Sequence, residues 1–74
     1  YRHKMKIVSI NKEPVELYKI LKFEGLLESG GAAKNAIANG LVEVNDCVEK
    51  RKRKKIINGD TIVFNGEKLY VSLL

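Results

Sequence analysis

The sequence predicts an α+β domain in which two short helices pack on a small, mostly antiparallel sheet of four to five strands. Three observations predict it. Leu17, Ile20 and Leu21, then Ala32, Ala33, Ala36 and Ile37, set apolar residues at helical spacing in the first half of the chain. After residue 40 the spacing changes to alternation, interrupted by the turn sequences Asn45-Asp46, Asn58-Gly59-Asp60 and Asn65-Gly66. The 74 residues have room for one domain around one small core, and no more.

Each element has its own local cause. Tyr1, Arg2, His3 and Lys4 stand ahead of Met5, which reads as an initiator with a remnant before it, so the single domain is taken as 5–74. Over 5–10, Ile7, Val8 and Ile10 favour a short strand because β-branched side chains fit a pleated surface. Pro14 suits the first turn of a helix, where its missing N–H costs nothing, and the spacing predicts a helix over 14–24. Gly25 stands where a helix end needs positive φ, and Leu26 and Leu27 then close the helix pair from beneath. Ser29 is a good N-cap for a second helix, whose alanines permit close approach to the first and which stops at Asn39-Gly40. Strands follow over 41–44 and 47–49, then over 61–64 and 69–73 about the Asn65-Gly66 turn.

Charge is the strongest functional signal. Of 14 Lys and Arg, six form the unbroken run Lys50, Arg51, Lys52, Arg53, Lys54 and Lys55, leaving eight cations against 9 carboxylates elsewhere. A surplus gathered into one block gives a polyanion a single docking stripe. Were the run extended, Lys50, Lys52 and Lys54 would point one way and Arg51, Arg53 and Lys55 the other. The run must therefore bulge, curl over an edge or line a loop, with Arg51 and Arg53 expected to lead the contacts because a guanidinium forks onto phosphate. Lys19 and Lys22 share a face of the first helix and either extend this surface or form an ordinary solvated face.

Other chemistry finds little support. The one His is His3, and Cys47, the one Cys, has no partner nearby in sequence and reads as a buried or half-buried structural thiol. The carboxylates show no metal spacing, so neither an enzyme nor a metal or other cofactor is expected. Gly30-Gly31-Ala32-Ala33-Lys34 has a superficial likeness to a phosphate loop but lacks its spacing and its magnesium-binding hydroxyl. Ser29, Gly30 and Gly31 at a helix N-terminus, with Lys34 one turn on, either take one phosphate or only let the helices turn tightly. Tyr18, Phe23, Phe64 and Tyr70 have core roles open to them, so base stacking is not expected. No membrane-length apolar run occurs, and a lone cysteine fits a reducing cytoplasm.

Several stretches together resemble the S-four RNA-binding domain, named for ribosomal small-subunit protein four. They are Leu17-Tyr18-Lys19-Ile20-Leu21, Glu24-Gly25-Leu26-Leu27-Glu28-Ser29, Ala32-Ala33-Lys34, Ile37, Gly40, Val42-Glu43-Val44-Asn45 and Gly59-Asp60-Thr61-Ile62. The resemblance covers 14–64 and is nearest to small stand-alone bacterial members of the YbcJ type. It implies an alpha-L motif, two helices and a hairpin forming an RNA-binding face, with Lys19 on the family's helix-one lysine. Glu16 and Gly30 stand where many members carry arginine, and Asn45-Asp46 replaces the usual Asn-Gly. Catalytic domains to which the family is fused elsewhere have no counterpart here. The expectation is a monomeric, non-catalytic binder of structured RNA, ribosomal or transfer, working at or near the ribosome. Two rival readings stay open: a helix-turn-helix reader of DNA using Asn35 and Asn39, and a module for an acidic protein partner.

Overall fold

The structure is a computed structural model that describes residues 4–74. The reading of 1–4 as a remnant, and His3 with it, falls almost wholly outside the described residues.

In chain order the elements are β1 (Lys4–Ile10), β2 (Val15–Glu16), α1 (Leu17–Phe23), α2 (Gly30–Ala38), β3 (Val42–Val44), β4 (Cys47–Val48), β5 (Lys55–Ile56), β6 (Thr61–Phe64) and β7 (Glu67–Leu73). Five strands form one sheet in the order β1-β7-β6-β3-β4, and β2 and β5 form a second, two-stranded sheet. Every pair is antiparallel except β1 with β7, so the sheet is mostly antiparallel as the sequence predicts. Both helices contribute to the core, with Leu17, Ile20 and Leu21 buried from α1 and Ala33, Ala36 and Ile37 from α2. They meet Val8, Val42, Ile56, Ile62, Leu69 and Val71 from the strands, and among the described residues no polar or charged one is buried. Burying one such aliphatic side chain stabilises by about 1.5–3 kcal/mol, which is why two turns of helix suffice.

Both helices end alike. Leu26 N–H donates to the Leu21 carbonyl and Gly25 N–H to that of Lys22, while Leu41 N–H donates to Ala36 and Gly40 N–H to Ile37. These are Schellman motifs, and their C′ residues Gly25 and Gly40 take φ of 75° and 78°, which a residue with a Cβ rarely adopts. Leu26 and Leu27 pack against the core beneath the helix pair. Ser29 caps α2 as the sequence predicts, its hydroxyl accepting from Ala32 N–H at 3.1 Å.

Three expectations need correction. The first helix starts at Leu17, not Pro14, and the Glu13–Pro14 peptide is cis. Val15 and Glu16 are extended because they pair with Ile56 and Lys55, a long-range pairing that local spacing cannot reveal. Cys47 is exposed, since it opens a two-residue strand at the sheet edge just after a turn. Phe23 is 70% exposed and Tyr70 44%, because Phe23 ends α1 beyond the buried stripe and Tyr70 alternates with buried Leu69 and Val71. Tyr18 and Phe64 do pack on the core.

At the β3–β4 turn Asn45 and Asp46 have φ of 51° and 69°, the signature of a type I′ hairpin, whose second position favours glycine. Asp46→Gly is expected to raise the unfolding free energy by about 1 kcal/mol, and Gly25→Ala to lower it by at least as much. Urea denaturation followed by circular dichroism checks both.

Candidate nucleic-acid interface

The cationic run does not continue a strand. Lys54 N–H donates to the Arg51 carbonyl at 3.2 Å, closing a turn with Lys52 and Arg53 at its corners, and only Lys55 enters β5. The turn breaks the alternation that would have split the cations between two faces.

Its backbone is then fixed to the first helix. Leu17 N–H donates to the Lys54 carbonyl at 2.9 Å and Tyr18 N–H to that of Lys52 at 3.2 Å. The first N–H groups of a helix have no partner within it, and here the basic segment supplies one for each of these two. Glu16 precedes α1 without capping it; its carboxylate lies 3.7 Å from Lys19 Nζ and 3.7 Å from Arg53 Nη1. A carboxylate at a helix N-terminus is favourable, and this one also draws a helix-one cation and a turn cation together.

Tyr18 is the hub of the face. Lys34 Nζ stands 4.6 Å from the centroid of its ring and the Arg53 guanidinium 5.6 Å, both within cation–π range. A Cβ on Gly30 would lie 3.6 Å from the same ring, so α2 begins in ordinary contact with Tyr18. Residues from α2 and the turn thus converge on one side chain of α1: Gly30, Lys34 and Arg53 meet Tyr18, while Lys19 beside it is held by Glu16. Lys22 is exposed one turn along α1.

The other candidates are placed differently. The Ser29 hydroxyl is engaged in capping, and Gly31 is exposed. The Lys50 stem lies over Gly40, 3.4 Å from where a Cβ would be. Lys52 is exposed and Lys54 half-buried. Arg51 is turned onto Glu49, with Nε 2.8 Å from Oε2, Nη2 3.2 Å from Oε1 and its backbone N–H 3.1 Å from Oε2. The side-chain hydrogen bond from Arg51 holds the Glu49 carboxyl below its ordinary range despite some burial, and the same bond raises Arg51. Of the two arginines singled out in sequence, Arg53 therefore joins the Tyr18 cluster, whereas Arg51 carries a carboxylate on its fork. The sequence reading missed Tyr18 as an organiser. Its i, i+4 relation to Lys22 and the small residue at Gly30 were the available signals.

Among the described residues no group of His, Cys, Asp and Glu is arranged to hold a metal ion, and no helix is long and apolar enough to cross a membrane. α2 carries Lys34 as its single cation and exposes Asn35 on its surface, while Asn39 is its C-cap.

Two helices, a following hairpin and a cationic turn tied to the first helix define a small alpha-L type module. The chain belongs to the S4 domain family, whose model matches residues 8–72. It is 50% identical over 68 residues to YbcJ of Escherichia coli (strain K12), provisionally named an RNA-binding protein, covering 90% of this chain and 97% of the relative. It is 34% identical over 59 residues to RlbA of Bacillus subtilis (strain 168), provisionally named a ribosome maturation protein, covering 80% of this chain and 83% of the relative. The solution structure of Escherichia coli YbcJ, described as having an alfaL motif involved in RNA-binding, superimposes with a TM-score of 0.70 at 49% identity. It covers 89% of this chain and 85% of that one. The family span reaches beyond the 14–64 read from sequence motifs, taking in the core residues of β1 and β7.

A carboxyl whose folded-state pKa lies below its unfolded value contributes stability above the unfolded value and loses it as pH falls through the folded one. Glu49 is lowered in this way. Carboxyl-carbon NMR is expected to show Glu49 titrating below the ordinary glutamate range, with Arg51→Ala returning it toward that range.

Proposed function

We propose that this protein binds structured RNA, ribosomal or transfer, without catalysing a reaction on it, through the face formed by α1, the start of α2 and the turn at 51–54. The observation that carries this reading is the convergence of Lys34 and Arg53 on Tyr18, beside Lys19, from three separate elements. Cations fixed at set positions on a folded surface suit a ligand whose phosphates are themselves fixed, as in a folded RNA. The RNA-binding motif described for the YbcJ structure and the ribosome maturation role in RlbA's name support an RNA partner and a place near the ribosome, hence in the cytoplasm. Lys19, Lys34, Lys52 and Arg53 are assigned the phosphate contacts, with Lys22, Lys50, Lys54 and Lys55 around them. Ser29, Gly30 and Gly31 serve by letting α2 start against Tyr18. Arg51 contributes the donors that its fork leaves open.

Binding of this kind is mainly electrostatic. With Z phosphates neutralised, log K is expected to fall with log salt at a slope of about −0.7Z to −0.9Z. Arg53→Glu is expected to weaken binding to a structured ribosomal RNA fragment at least about tenfold and to flatten that slope by about 1 to 2. Lys68→Glu serves as the control, because Lys68 alternates with buried Leu69 and lies on the sheet face away from the helices. Fluorescence anisotropy at several salt concentrations makes both measurements. Equal loss in the two variants, or tighter binding to duplex DNA of equal length, would overturn the reading.

A further inference from the structure

Beside the cationic face lies an open groove of about 950 Å³ between the end of β1 and α1. Tyr18, Lys19, Lys22, Phe23, Arg53 and Lys55 line it, as does Lys12. Two side-chain carboxylates also line it, and both are already engaged: Glu24 by Lys6 at 3.0 Å, and Glu16 by Lys19 and Arg53. The groove therefore presents a surplus of cations to any occupant. Two large apolar side chains of the groove are left exposed, Leu74 and Phe23, and Phe23, at 70%, is the aromatic one.

The position of Phe23 is set by α1. Residues four apart on a helix are neighbours, so Phe23 follows Lys19 along the exposed side while Ile20 and Leu21 enter the core. An exposed ring with no role in the core, edged by Lys19 and Lys22, offers an apolar π-face next to positive charge. That pairing is the requirement of one ligand chemistry: an unstacked base, which has a π-face of its own, joined to phosphates. A paired duplex cannot use it, because its bases are stacked inside.

We propose that this groove binds an unpaired nucleotide stretch of the RNA, with one base stacked on Phe23 and the flanking phosphates met by Lys19, Lys22 and Lys55. The proposal rests on the RNA reading above and sharpens it: the preferred ligand is a structured RNA with a single-stranded extension or bulge, not a fully paired stem. Stacking tolerates any base, so it adds affinity without sequence choice.

The chain contains no tryptophan, so Phe23→Trp introduces a single indole fluorophore at the groove, and an exposed site accepts it without disturbing the core. The test compares a fully paired RNA hairpin with the same hairpin carrying a short unpaired tail, and with a tail whose bases have been removed. The tail is expected to tighten binding of the native protein about 5- to 150-fold per stacked base, and Phe23→Ala is expected to erase that gain while leaving affinity for the paired hairpin unchanged. Indole emission in Phe23→Trp is expected to be quenched by the tailed hairpin and not by the paired or base-free forms. A tail gain that survives Phe23→Ala, the absence of any tail gain, or equal quenching by polyglutamate would overturn the groove proposal while hairpin binding stands. Absence of hairpin binding would overturn the RNA reading instead.

Discussion

The structure depends on the backbone hydrogen bonds that join the start of α1 to the cationic turn. Leu17 and Tyr18 present N–H groups that a helix cannot satisfy by itself, and the carbonyls of Lys54 and Lys52 accept them. The pairing of Val15 with Ile56 and of Glu16 with Lys55 continues the same contact back along the chain. One seam therefore fulfils two needs. It satisfies polar backbone at the edge of the core, beside fully buried Leu17 and Ile56, and it holds a segment of concentrated positive charge in a fixed place. Without it, six adjacent cations would repel one another and favour an extended, mobile conformation.

Electrostatics on this face are balanced by two carboxylates. Glu16 draws Lys19 and Arg53 together, and Glu49 occupies the fork of Arg51. Exposed ion pairs of this kind add little to stability, so their consequence is geometric: they set the direction of side chains that would otherwise sample many rotamers. Tyr18 acts in the same sense, with its ring within cation–π range of both Lys34 and Arg53. The side chains proposed to meet phosphate are thereby ordered in the free protein, which would lower the entropy lost on binding.

Much of this was legible in the sequence because its causes are local. The Schellman glycines at 25 and 40, the Ser29 cap, the Asn65-Gly66 hairpin and the buried helical stripes each follow from a few neighbouring residues. What was not legible depends on residues far apart in the chain. Val15 and Glu16 are extended only because Lys55 and Ile56 come back to pair with them, and Pro14 looked like a helix start for want of that knowledge. Strand alternation correctly forbade a flat six-cation stripe, yet could not show that a turn at 51–54 resolves the conflict. For the aromatics, composition argued for the core. Position decided otherwise for Phe23, which ends its helix past the buried stripe, and for Tyr70, which falls on the outward phase of β7.

The central claim is that α1, the start of α2 and the cationic turn act as one surface. Titrating the ¹⁵N-labelled protein with a structured ribosomal RNA fragment, and following every backbone amide by NMR, tests it most directly. The account predicts that Tyr18, Lys19, Lys34, Lys52 and Arg53 shift together and saturate with one common dissociation constant. Shifts confined to 50–55, or centred on Ile7 and Tyr70 on the far side of the sheet, would contradict it.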